Sequence, residues 1–115
     1  MAELVVYEKP TCTTCRRLSA LLAERGIEPE RVDYHVTGLT EAEIRDLLAK
    51  AGAGPRDVLR TREPAHAEHV AGRHLSDDEL IALMARHPEL VQRPIVVRGD
   101  RAVLARPVER VLELL

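Results

Sequence analysis

The chain has two cysteines, Cys12 and Cys15, both in the stretch Tyr7-Glu8-Lys9-Pro10-Thr11-Cys12-Thr13-Thr14-Cys15-Arg16-Arg17. A thiolate is a nucleophile, and two thiols at this spacing can exchange with a disulfide. Leu4, Val5, Val6 and Tyr7 read as a short buried strand running into the motif, and Leu18, Leu21 and Leu22 leave it at helical spacing. Cys12 is therefore expected where a strand ends and a helix begins. The free N–H groups of a helix start carry the positive end of its dipole, which favours the thiolate. Thiols at such positions ionise at roughly 3.5–7.5 rather than about 8.5. Cys15 falls one turn later on the same face, within disulfide reach, and Lys9, Arg16 and Arg17 add positive charge nearby.

Other uses of the pair compete with this one. Both could be small, partly buried thiols without a role. Zinc would need two more ligands, such as His66 and His69, but a gap of fifty residues does not match compact zinc spacings, so no metal is expected. His35, His66, His69, His74 and His87 read as surface or loop residues. The charge balance, 17 basic against 19 acidic residues, gives no case for binding nucleic acid or a membrane surface. No signal peptide and no apolar run near 20 residues is evident, so a cytoplasmic protein is expected. In a reducing compartment two cysteines suit redox chemistry better than a structural disulfide.

A single domain over residues 1–115 must hold the motif, with a core of Leu, Val, Ile and Ala, since the chain has no Phe and no Trp. Leu4–Tyr7 is the first strand, and the first helix runs from Cys12 to about Arg25, with Gly26 ending it. The alternation over Arg31–Val36 predicts a second strand, parallel to the first. Thr40 with Glu43, and Ser76 with Glu79, are capping boxes that open two helices. Pro55 starts a short helical turn, and Glu63 to Arg73 carries little signal. Pro94–Val97 and Ala102–Leu104 form a hairpin about Gly99-Asp100. Pro107 opens a last helix with Val108, Val111, Leu112 and Leu115 on its inner face. The order is a βαβ unit, an all-helical insert over roughly residues 40–88, and a ββα unit. That is an α/β thioredoxin-like arrangement with a four-stranded mixed sheet, which carries redox CxxC chemistry at the start of its first helix.

The stretch Tyr7 to Arg16, Leu59-Arg60-Thr61-Arg62-Glu63, Gln92-Arg93-Pro94-Ile95-Val96-Val97, Arg106-Pro107 and Val111-Leu112 together resemble the ArsC/Spx family, the glutaredoxin-type arsenate reductases and their Spx-type relatives. The resemblance covers essentially the whole chain. It implies that Cys12 attacks arsenate and that Arg60, Arg93 and Arg106 hold the oxyanion. It implies a cis bond before Pro94, facing the thiol, no bound cofactor, and glutathione with glutaredoxin as electron donor; thioredoxin is the alternative donor that the CxxC allows. Two positions depart from the reductases of this family. Glu8-Lys9 stands where they usually carry His-Asn, and Cys15 stands where they generally carry Ser. Spx-type proteins carry CxxC as a thiol switch and bind the α subunit of RNA polymerase.

Arginine supplies a planar fork suited to a tetrahedral oxyanion. A thiolate attacking an anion is opposed electrostatically unless cations neutralise the charge. With 15 Arg in the chain, each of the three could equally be solvated surface charge. Three functions follow from the residues: a reductase in which Cys12 attacks the oxyanion and Cys15 or glutathione resolves the adduct, a redox-switched regulator, or a general disulfide reductase. The arginines favour the first and the CxxC favours the other two.

Overall fold

The computed structural model describes residues 3–115, which fall into two compact units. The first is made of the chain up to Thr37 together with Arg93–Leu115, and the second is Gly38–Gln92.

In the first unit β1 (Leu4–Glu8) runs into α1 (Thr13–Glu24), and β2 (Glu30–Asp33) returns parallel to β1, with Val6 beside Arg31. Gly26, at φ +70°, makes the left-handed turn after α1 that a side chain would oppose. β3 (Ile95–Arg98) lies antiparallel to β1 and pairs with β4 (Arg101–Leu104) through the Gly99-Asp100 turn, where Gly99 takes φ +63°. The sheet order is β2-β1-β3-β4, the mixed sheet of a thioredoxin-like fold. Alternation along β1 turns Leu4 and Val6 inward with Val96 and Val103, and α1 covers them with Leu18 and Leu22.

Two expectations are corrected in this unit. The second strand stops at Asp33 instead of reaching Val36. The Asp33 carboxylate accepts the His35 N–H at 3.2 Å and the Asp33 carbonyl accepts the Thr37 hydroxyl at 3.4 Å. These bonds turn the chain into a short helix, α2 (Tyr34–Thr37), which leaves Val36 exposed and Tyr34 buried. The last helix is also not an α-helix. Val108–Leu114 winds as a 3-10 helix, whose three-residue period puts Val108, Val111 and Leu114 on the core side. Leu112 and Leu115, expected inside, are exposed.

The second unit is helical apart from one isolated antiparallel bridge between Leu59 and Val91. Its helices are α3 (Glu41–Ala51), α4 (Pro64–His69) and α5 (Asp77–Arg86), with 3-10 turns at Pro55–Val58 and Pro88–Leu90. Both expected capping boxes form: Thr40 with Glu43, and Ser76 with Glu79. α3 buries Ile44, Leu47 and Leu48, and α5 buries Leu80, Ile81 and Met84. The two helices pack together, and Arg45 ties α3 to Asp78 at 2.8 Å. The unit begins two residues before the expected insert and ends four after it.

Candidate active site

β1 delivers the chain to Lys9, whose carbonyl accepts the Cys12 N–H at 2.9 Å, so a tight turn separates the strand from the helix. Cys12 then sits at the N-cap of α1 in extended conformation. No carboxylate occupies the first turn of α1, so nothing there neutralises the helix start before the sulfur does. An N-cap side chain ordinarily accepts from the second and third residues of the helix. The Cys12 sulfur makes no side-chain cap bond of that kind, but the backbone N–H groups of Cys15 and Thr14 face it and favour its ionised form.

Burial alone would raise the Cys12 thiol pKa. It is outweighed by the Cys15 N–H, the Cys15 S–H, the Arg93 guanidinium and the Thr14 N–H, which together bring it down from 9.0 to about 7. Cys12 is therefore more readily ionised than a free thiol, and it is part-exposed. Cys15 is its opposite. It is only 1% exposed, and burial, partly offset by the Lys9 N–H, pushes its thiol up. Its hydrogen bond to Cys12, the charge of Cys12 and the charge of Glu8 push in the same direction, to about 12. Both thiols are free.

Arg93 lies just before β3, joined to Pro94 by a cis peptide bond, as the resemblance implies; the Arg106–Pro107 bond is cis as well. Arg93 is buried, 7% exposed. Burial disfavours its charge, but Tyr34 and Cys12 raise its pKa by charge and by hydrogen bonding. Among the described residues its Nε and Nη1 have no partner, which leaves Nη2 for Tyr34 and Cys12. A buried guanidinium with two open donors beside a thiolate is poised for a ligand with several oxygens. Arg106, on the loop after β4, donates through Nε to the Arg93 carbonyl at 2.7 Å and braces that loop.

The first unit thus brings Cys12, Cys15, Arg93, Pro94 and Arg106 together. Lys9 takes part through its backbone, and Arg16 and Arg17 are exposed. Arg60 belongs to the second unit. Its Nε pairs with Glu63 at 3.1 Å, its Nη1 reaches Gln92 at 3.5 Å, and its backbone N–H binds the Leu90 carbonyl at 2.7 Å. Glu8, which stands where the reductases of this family usually carry His, is buried at the end of β1 and pairs with Arg31 at 2.8 Å. Arg31 also donates to the Ser19 hydroxyl of α1. The Glu8 charge acts on Cys15.

Tyr34 is the site residue that sequence reasoning missed. In an alternating stretch it reads as core, and the only signal for its role was Asp33, a turn former at the point where the strand breaks. Among the described residues no three His, Cys, Asp or Glu side chains gather as a metal site, and no helix is long and apolar enough to cross a membrane.

Residues 7–114 match the ArsC family. The chain belongs to that family. The uncharacterized protein YfgD of Escherichia coli K12 is 39% identical over 114 residues, covering 97% of this chain and 96% of that protein. The arsenate reductase of Escherichia coli K12 is 37% identical over 116 residues, covering 100% of this chain and 82% of that enzyme. Among solved structures, an arsenate reductase from Vibrio cholerae superposes with a TM-score of 0.93 at 39% identity, covering 99% of this chain and 98% of the other.

Proposed function

We propose that this chain is a thiol-dependent arsenate reductase. The Cys12 thiolate attacks the arsenic of an oxyanion held by Arg93, with Arg106 bracing the loop that carries it. The adduct is then resolved by Cys15 or by glutathione, and glutaredoxin or thioredoxin supplies the electrons. The named relatives and the family match support this reading.

The observation that carries it is the buried Arg93 guanidinium, with Nε and Nη1 unpartnered beside Cys12. Leaving charged donors unmet in a buried site is unfavourable, and an oxyanion would satisfy them. It would also receive the charge neutralisation that attack by a thiolate requires. A general disulfide reductase shares the need for a reactive Cys12 but has no use for those donors.

The test is arsenite formation from arsenate by the reduced protein, with glutathione plus glutaredoxin and separately with thioredoxin. Cys12→Ser should abolish turnover. Arg93→Ala should lower kcat/KM by a factor of about 100 or more, as loss of a charge-stabilising donor typically does. Turnover retained in Cys12→Ser removes the nucleophile assignment. An Arg93→Ala enzyme with unchanged kinetics removes the oxyanion site.

A further inference from the structure

The position of Cys15 decides how the arsenylated enzyme is resolved, an inference that rests on the reductase reading. Cys15 is 1% exposed, so a thiol dissolved in water does not reach it. Its sulfur nevertheless lies against that of Cys12, to which its S–H donates. The two residues occupy the N-cap and the third position of α1, one helical turn apart, where the Cα separation falls in the range a disulfide needs. Cys12, in contrast, is open to solvent and to a substrate. An electrophile formed on the Cys12 sulfur is therefore within reach of Cys15.

We propose that Cys15 is the resolving thiol of this enzyme, and that each turnover ends in a Cys12–Cys15 disulfide which a dithiol reductant, rather than glutathione, reopens. In the first step the Cys12 sulfur bonds to pentavalent arsenic and an arsenic–oxygen bond breaks, the oxygen leaving as water after protonation. In the second, the Cys15 sulfur loses its proton to solvent and attacks the Cys12 sulfur. The sulfur–sulfur bond forms, the sulfur–arsenic bond breaks, and its electron pair stays on arsenic. Arsenic passes to the trivalent state and leaves as arsenite, and the two thiols have supplied the two electrons. The dithiol then attacks the disulfide, returns both cysteines to thiols and becomes a disulfide itself.

The same contacts order the two steps. Cys15 is held protonated by burial first, and also by the charge of the Cys12 thiolate and by the bond it donates to that thiolate. Once the Cys12 sulfur is bound to arsenic, both of the latter influences disappear. Burial and the Glu8 charge still oppose ionisation, while the Lys9 N–H favours it. Cys15 therefore becomes a better nucleophile only when there is an adduct to resolve, and it does not compete with Cys12 for the substrate.

The experiment is a single turnover without any added thiol. Fully reduced protein, freed of reductant, is mixed with arsenate, quenched with an alkylating agent in denaturant so that any remaining thiol is accessible, and measured for arsenite and intact mass. The expected result is one arsenite per chain and a chain lacking two hydrogens that takes up no alkyl group. Cys15→Ser and Cys15→Ala should give no arsenite under these conditions, and should regain turnover only when glutathione is supplied. Arsenite formed by the wild type only with glutathione, with both cysteines still alkylatable, overturns the proposal. So does thiol-free arsenite formation by either Cys15 variant. No arsenite from the wild type with any thiol overturns the reductase reading itself, and this step with it.

Discussion

The guanidinium of Arg93 donates to the phenol of Tyr34, and both side chains are buried. Tyr34 stands at the first position of a helical turn that interrupts the run of β2, and Arg93 stands just before β3. One nitrogen of the fork is thereby fixed on Tyr34 and Cys12, and Nε and Nη1 are left open. Tyr34→Phe removes the acceptor with almost no change in shape. Loss of a hydrogen bond to a charged group is worth about 1.5–3 kcal/mol, or roughly a tenfold or greater loss in affinity for the oxyanion. The expected outcome is a raised KM for arsenate, and weaker inhibition by phosphate, with kcat reduced less. Steady-state kinetics on the folded variant check this. A variant with unchanged KM shows that Arg93 is aimed without help from Tyr34.

The two thiols are displaced in opposite directions, which fixes how reactivity and stability follow pH. Alkylation of the native protein should modify Cys12 alone, at a rate rising through a midpoint near 7. Arg93→Ala should move that midpoint upward, since the guanidinium is one of the groups lowering it. For stability, Cys12 ionises more easily folded than unfolded. Its contribution grows as pH rises from about 7 toward 9.0 and is lost as pH falls through 7. Cys15 ionises less easily folded than unfolded. Its contribution is complete below 9.0 and is lost as pH climbs toward about 12. Urea unfolding across this range should show Cys12→Ser flattening the rise and Cys15→Ser flattening the fall. A Cys12→Ser profile that parallels the wild type between 7 and 9 counts against the N-cap thiolate.

Much of this site was legible in the sequence because its parts obey local rules. Cys12 follows an apolar strand and precedes a helical leucine pattern, so the N-cap position could be read directly, and the Gly99-Asp100 turn marked the hairpin that follows Arg93. What escaped were the places where a periodic pattern outlasts the element. Val32, Tyr34 and Val36 keep strand alternation, yet hydrogen bonds to Asp33 bend the chain after β2 and turn the last two residues apart. The role of Tyr34 depends on that bend. The pairing of Glu8 was hidden for a different reason: Arg31 lies 23 residues away, and only the parallel register of β1 and β2 brings the two together.

That pair carries its own prediction. Glu8 is 3% exposed and its partner Arg31 is 46% exposed on its side chain, so the carboxylate depends on one cation that water can still reach. Arg31→Ala leaves the buried carboxylate uncompensated. Breaking a fully buried pair costs about 3–5 kcal/mol, and the exposure of Arg31 reduces the expected loss to about 1–3 kcal/mol. Glu8→Gln keeps the shape and removes the charge, and should be milder. It should also ease ionisation of Cys15, because the Glu8 charge is one of the influences opposing it. Denaturant midpoints measure the first effect, and the ultraviolet absorbance of the Cys15 thiolate at high pH in a Cys12→Ser background measures the second. An Arg31→Ala variant as stable as wild type shows that solvent alone supports Glu8.

The C-terminal segment tests whether the period of its helix has been read correctly. An α-helix over residues 108–115 would bury Leu112 and Leu115 with Val108 and Val111, the pattern that their spacing suggests. The 3-10 winding instead brings Leu114 onto the same face as Val108 and Val111, and leaves Leu112 39% exposed. Leu114→Ala therefore opens a cavity beneath the sheet, in a cluster that also holds Leu18 and Leu22 of α1, and should cost about 2–4 kcal/mol. Leu112→Ala removes a partly solvated side chain and should cost less than about 1 kcal/mol. Urea unfolding of the two variants separates the windings directly, since an α-helical terminus requires the larger loss at Leu112 and a 3-10 terminus requires it at Leu114.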